Sequence, residues 1–318
     1  MIMILQHKKW FRKRTGAVRI ENGLKHGNPI FAWLLILPSF LTWVVVGLYV
    51  NIDSIFLSFQ TANGNFTLQH YRWVIDSFKS SGGEEGFLLM CVKNTLKYFF
   101  TNYFIIQTAN VIVAYFFYKR IKGYKQLRFL VYLPNLLAGA VMATVYKQFI
   151  RFDGPVVDLF VRFGWIADNN RPQWLYSDQY AMTLSIVYSL WLGVGGTMVY
   201  SMAAMSRIPK EVLESAQLDG ITPFKEFVSL IVPLIGGTLS TLYIIGVAGF
   251  LSAGGATLML TNGNYNTQTL SFWIFWQTYT GGSTGTSTAV GLCMTAVGLP
   301  ITYLVKWIAD KITPEVSF

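Results

Sequence analysis

Six apolar stretches dominate the chain, at 31–51, 95–117, 129–149, 180–202, 228–251 and 289–307. Each is near the ~20 residues that a helix needs to cross a bilayer. Backbone amides inside hydrocarbon have no water to bond, so an isolated stretch of this kind satisfies them as a helix. The expected fold is therefore an all-α integral membrane protein with six transmembrane helices. Pro38, Pro134, Pro233 and Pro300 lie within or at the ends of these stretches, where membrane helices accept kinks better than soluble ones. Composition agrees, with 53% hydrophobic and only 13% charged residues, against about a quarter charged in soluble domains.

The formal charge of +10 could suggest a nucleic-acid partner, but its distribution points to a membrane topology instead. Seventeen of the 25 Lys and Arg residues fall in the first 30 residues, in the loop 119–128, in the segment containing Arg207, Lys210 and Lys225, and at Lys306 and Lys311. The other eight lie on the opposite side of the predicted spans. Positively charged loops stay in the cytoplasm, so both termini and the loop between the fourth and fifth stretches are expected there. Residues 1–30 read as a basic cytoplasmic tail able to touch anionic lipid, without the apolar core and cleavage site of a signal peptide. Residues 31–318 read as one membrane domain.

The polar segment near 206–233 is the main interruption in this pattern, and its core reads ESAQLDGITPFKEFVSLIVP over 214–233. Pro209 suits the first turn of a short helix and Gly220 its left-handed end. Thr222 and Pro223 then suit the N-cap and first position of a second helix. Helix, tight turn, helix is the expected local structure, with the second helix running into the fifth span.

Several chemistries lack their residues. His7, His26 and His70 have no metal-ligand spacing, and Cys91 and Cys293 suggest neither disulfide nor metal. The glycine-rich run at 281–288 lacks the lysine of a phosphate-binding loop. Apart from Lys306 at the cytoplasmic end of the last stretch, the only charged side chains within the spans are Lys97 and Lys147, both near outer ends, which disfavours a proton-driven transporter. No cluster of acid, base, nucleophile or metal ligand supports an enzyme. The aromatic segment with Phe272, Trp273, Phe275, Trp276 and Tyr279 reads as an interfacial aromatic belt, with sugar stacking as the alternative.

Glu214, Ala216, Gly220 and Pro233 stand at the spacing of the signature loop of permease subunits of ATP-binding-cassette importers (E-A-A, three residues, G, nine residues, I-x-L-P). Ser215, Leu230 and Val232 depart from that pattern. ILPSFLTWVVVGLYVNIDSIFLSF, FTLQHYRWVID, NTLKYFF and FLVYLPNLLAGAVMATVYKQFI resemble the sugar-permease branch in order and spacing. LMLTNGNYNTQT is similar to its L-T-x-G-G-P-x-x-x-T segment, with Asn264 and Tyr265 in place of Gly and Pro. The nearest likeness is to the larger, maltose-permease-like subunit.

This resemblance implies a type I importer permease of six transmembrane helices that pairs with a second, homologous permease. It implies a cytoplasmic ATPase dimer that carries ATP and Mg, an extracytoplasmic solute-binding protein, and no cofactor in this chain. It assigns ATPase coupling to Glu214, Ala216, Asp219, Gly220 and Pro233, with Glu214 making a charged contact. On the substrate path it points to Ser189, Trp191, Gly193, Gly196, Tyr243, Gly246 and Phe250. Ser189 and Gly196 stand where the family has Asn and Tyr, and Gly246, Phe250 and Ala253 replace small polar residues. A roomier, less discriminating path for an oligosaccharide follows as an expectation. The alternatives are a related permease for another solute, such as a glycerol phosphoester, and a non-transporting membrane scaffold or sensor.

Overall fold

The computed structural model describes residues 29–61, 63–79, 86–249, 254 and 256–312. The basic tail up to residue 28 and Phe250 therefore lie outside the described residues. Among these the architecture is helical, with an isolated bridge between Gln60 and Phe66 and no strand. Two compact units are distinguished, 1–56 and 57–318. The first holds most of α1 (Trp33–Ser58), which passes through a π-helical turn at Trp43–Tyr49.

Besides single turns at Trp174–Tyr176 and Thr257–Leu260, the second unit carries the remaining helices. They are α2 (Gln69–Asp76), α3 (Phe87–Tyr118), α4 (Tyr124–Leu136), α5 (Gly139–Ile150), α6 (Pro155–Arg162), α7 (Ala181–Gly193) and α8 (Met198–Met205). After them come α9 (Lys210–Leu218), α10 (Pro223–Leu234), α11 (Gly236–Ala248), α12 (Leu270–Tyr279) and α13 (Thr284–Ile312). Four helical segments among the described residues (α1, α3, α7 with α8 taken as one, and α13) are long and apolar enough to cross a membrane, and two bent pairs bring the number to as many as six. The six apolar stretches fall on these elements in order, but three of them are not single straight helices.

The breaks have local causes. α4 and α5 meet at 107°, because Leu137 and Ala138 are extended and Pro134 offers no N–H to the turn before them. α10 and α11 meet at 75°, just after Pro233. α7 and α8 are separated by a turn over 194–197. Irregular backbone at membrane depth needs internal partners or a lined cavity, so these breaks mark where function is built.

Three buried clusters hold the second unit together. Val111, Ala114 and Phe117 of α3 pack with Met198, Met205, Ile231, Ile235 and Leu239 from α8, α10 and α11. Val74, Leu88, Cys91, Leu270, Trp273, Val290 and Met294 join α2, α3, α12 and α13. Met142, Tyr146, Ile150, Tyr188 and Leu260 tie α5 to α7. The loop before α12 is pinned to α3, since Asn94 Nδ2 donates to Asn266 O at 2.7 Å and Gln268 O at 2.9 Å.

The aromatic segment forms α12, and its rings divide. Phe272 and Trp273 are buried, with Trp273 stacked on Trp73 at 5.4 Å. Phe275, Trp276 and Tyr279 are exposed. Helical periodicity turns Trp273 into the core against α2 and α3 and Phe272 toward Gly263, which leaves three of the five rings for the expected belt.

Candidate functional site: a coupling segment and a cavity at broken helices

The polar segment folds as the turn chemistry requires. α9 ends with Gly220 at φ +73. Gly220 N–H donates to Gln217 O at 3.0 Å and Ile221 N–H to Ala216 O at 3.2 Å. This is a Schellman closure, for which glycine is the favoured residue. Thr222 Oγ1 then accepts from Lys225 N–H at 3.5 Å, with Pro223 in the first turn of α10. Val212 and Leu213 face the buried cluster of α3, α8 and α10. Glu214, Ser215, Leu218 and Asp219 face outward, and Ala216 is half-buried. Leu218 is 89% exposed and Phe224 75%. Two large apolar side chains and a free-standing carboxylate at the tips of a short hairpin form a surface suited to a protein partner.

The turn between α7 and α8 is held by amide side chains. Asn110, 1% exposed, donates from Nδ2 to Ile106 O and Gly193 O, both at 3.0 Å, and accepts from Gly195 N–H at 2.6 Å. Asn135 Nδ2 donates to Leu192 O at 3.1 Å, and Thr197 Oγ1 donates to Gln107 Oε1 at 2.8 Å. Gly193 lies so close to α3 that a Cβ there would be 2.6 Å from Ile106 Cδ1. Side chains of α3 and α4 thus bond the unwound backbone at Leu192, Gly193 and Gly195.

A cavity of ≈ 390 Å³ opens beside this turn, lined by Asn102, Asn135, Tyr188, Ser189, Leu192, Gly193 and Met259 among others. The α4–α5 break contributes Asn135 and Gly139, the α7–α8 break Leu192 and Gly193, and the chain beyond α11 Ala256 and Met259. Its polar groups are amides and hydroxyls, with no carboxylate, imidazole, ammonium or guanidinium among the lining residues. Such a lining suits an uncharged, hydroxyl-rich solute.

The structure distributes the residues anticipated for the path. Ser189 and Gly193 line the cavity. Trp191 packs with Tyr146 and Tyr188, at 6.1 and 6.4 Å between ring centroids. At Gly196 a Cβ would come within 3.4 Å of Asn135 Oδ1, so the room that a glycine leaves there borders the Asn135 amide. Tyr243 meets Tyr103 at 5.1 Å, and a Cβ at Gly246 would meet Tyr103 as well; neither residue lines the cavity. Pro233 stands two residues before the 75° bend. Asn102, Gln107, Asn110 and Asn135 were not anticipated. Their signal in the sequence is an uncharged amide within an apolar run.

The model of the family described as binding-protein-dependent transport system inner membrane component matches residues 108–314. The chain belongs to that family. This permease is accordingly a multi-pass component of the cytoplasmic membrane. It is 28% identical over 296 residues to the alpha-glucoside transport system permease protein AglF of Rhizobium meliloti, covering 91% of this chain and 84% of the relative. It is 23% identical over 292 residues to the polygalacturonan/rhamnogalacturonan transport system permease protein YteP of Bacillus subtilis, covering 90% and 89%. A chain of a bacterial ABC transporter involved in import of the acidic polysaccharide alginate superposes with a TM-score of 0.77 at 21% identity, covering 93% of this permease and 99% of that chain. That likeness establishes the fold.

Proposed function

We propose that this chain is one of two paired permease subunits in an ATP-binding-cassette importer for oligosaccharides. A separate cytoplasmic ATPase dimer hydrolyses ATP with Mg, and an extracytoplasmic binding protein delivers the sugar. Six helices cross the membrane, each bent pair counting as one span, with both termini and α9 on the cytoplasmic side where the basic residues concentrate. The observation that carries this reading is the exposed α9–α10 hairpin, built on the same bundle as an amide-lined cavity at broken helices. α9 gives the ATPase a docking surface, and Glu214 supplies a charge-assisted contact. The cavity gives sugar hydroxyls partners at membrane depth, and it holds no basic group that would favour a phosphoester. The relatives named for alpha-glucoside and for polygalacturonan/rhamnogalacturonan transport support the substrate class.

The decisive experiment purifies the tagged chain from gently solubilised native membranes and identifies what accompanies it. An ATPase, a second permease and a binding protein are expected. Recovery with envelope or signalling proteins and reproducibly no ATPase overturns the importer in favour of a scaffold.

A smaller effect is expected at the cavity. Ser189 Oγ already donates to Ser185 O at 3.1 Å, so a sugar can only use it as an acceptor. Ser189→Ala should cost about 1 kcal/mol or less of solute binding and leave the ranking of transported sugars unchanged. Uptake competition among several oligosaccharides measures this. A changed ranking would show that this subunit selects the sugar.

A further inference from the structure

Glu226 is a carboxylate for which the proposed function has no use. It lies at the start of α10, 4% exposed, and its Oε1 stands 2.5 Å from Lys119 Nζ. This contact is a close, charge-assisted ion pair. Lys119 follows directly on the last residue of α3, and its ammonium lies over the Tyr115 ring, 5.9 Å from the centroid. One turn earlier, Tyr115 Oη donates to Pro223 O at 3.1 Å and the Tyr115 ring tilts against Phe227 at 4.9 Å. Charge, hydrogen bond and ring contact thus tie the start of α10 to the end of α3.

Stability alone is a weak reason for such a pair. Glu226 is enclosed while Lys119 keeps 30% of its side chain exposed. An ion pair drawn even partly out of water can often be replaced by apolar side chains without loss, its best-attested benefit being a fixed register. A slip of α10 against α3 would strand the Glu226 carboxylate in the protein interior, which is costly. The opposite direction along α3 completes the argument. Asn110 lies nine residues before Lys119, about 14 Å along the helix, and it is the residue that holds the unwound turn beside the cavity. One helix therefore touches the coupling segment at its end and the cavity wall further in.

We propose that the Lys119–Glu226 pair is a positioning joint that makes α3 follow the α9–α10 hairpin, so that ATPase movement reaches the turn at 193–195. This rests on the importer reading. Neither residue touches the solute, and each acts through α3. Coupling needs contiguous elements biased together, and the joint supplies the link that packing of apolar side chains leaves free to slide.

The test needs no identified sugar. Ser189→Cys is introduced with Cys293→Ala, Cys91 being buried, and the complex is kept in native membrane vesicles. Modification by a water-soluble methanethiosulfonate is timed with and without Mg-ATP plus vanadate. In this background a rate change of about tenfold or more between the two states is expected, within the range of ordinary coupling energies. The apolar pair Lys119→Met/Glu226→Leu should insert and melt like the parent yet lose most of that change, while Lys119→Arg keeps it. A full nucleotide response in the apolar pair overturns the joint. Should that pair fail to accumulate, Glu226→Gln decides by the same two outcomes. If the background itself shows no nucleotide response, the importer reading is what fails.

Discussion

Glu214→Lys is expected to abolish solute uptake while the permease still inserts at parental abundance. Glu214 is exposed on α9, and exposed substitutions away from caps and buried networks usually change stability by less than about 0.5 kcal/mol. The Schellman closure at Gly220 and the cap at Thr222 do not involve its side chain. Its effect must therefore come from a partner. Reversing a charge that faces a complementary charge on the ATPase costs about 2–5 kcal/mol, more than enough to uncouple the assembly. Leu218→Asp should do the same through a different term, because it places a charge on an apolar tip that docking would desolvate. Uptake in whole cells, immunoblotting of membranes and recovery of the ATPase with the tagged chain separate the outcomes. Loss of uptake together with loss of ATPase recovery is expected for both variants. Normal uptake in Glu214→Lys would exclude the assigned contact and favour a scaffold.

The polar hairpin over 214–233 was legible because its structure is local. Gly220, Thr222 and Pro223 specify a left-handed cap, an N-cap and a first turn within a few residues, and the hairpin forms where those residues stand. The apolar stretches were legible for a similar reason, since length and hydropathy are properties of a single segment. The breaks were harder to read. Pro134 and Pro233 announce two of them, but a proline signals a kink without giving its 107° or 75°. The turn at 194–197 depends on Asn110 and Asn135, which are 85 and 57 residues from the atoms they bond. No periodicity links such positions. The cavity was missed in part for the same reason. Ser189 and Gly193 lie on it, but Trp191 is turned toward Tyr146 and Tyr188, and Tyr243 toward Tyr103. Nothing local in the sequence marks Glu226, next to Lys225, as buried; the end of α3 lying against the start of α10 buries it.

Gly195→Ala should be among the most damaging small changes in the chain, and Gly237→Ala among the mildest. Gly195 has φ +117, a region closed to residues with a side chain at a cost of about 1–3 kcal/mol. An added Cβ would also stand 2.6 Å from Val131 O, and a backbone oxygen inside α4 cannot rotate away. To relieve the contact the turn must move off α4. That strains the Asn110 bonds to Gly193 and Gly195, where a buried amide left unpaired costs about 1–3 kcal/mol, and also the exposed Asn135 bond to Leu192. Gly237 lies in α11 with nothing within 4 Å of its Cβ position, so alanine there should gain roughly 0.5–1 kcal/mol of helix propensity. Thermal melting of the detergent-solubilised protein, followed by size exclusion, reads both. A clear fall for Gly195→Ala beside an unchanged or raised midpoint for Gly237→Ala is the expected pair. Equal midpoints would mean that the turn is not held against α4 by these amides. The loss of transport should exceed the loss of folded protein, because Leu192 and Gly193 form part of the cavity wall and any shift of the turn alters the surface that the solute meets.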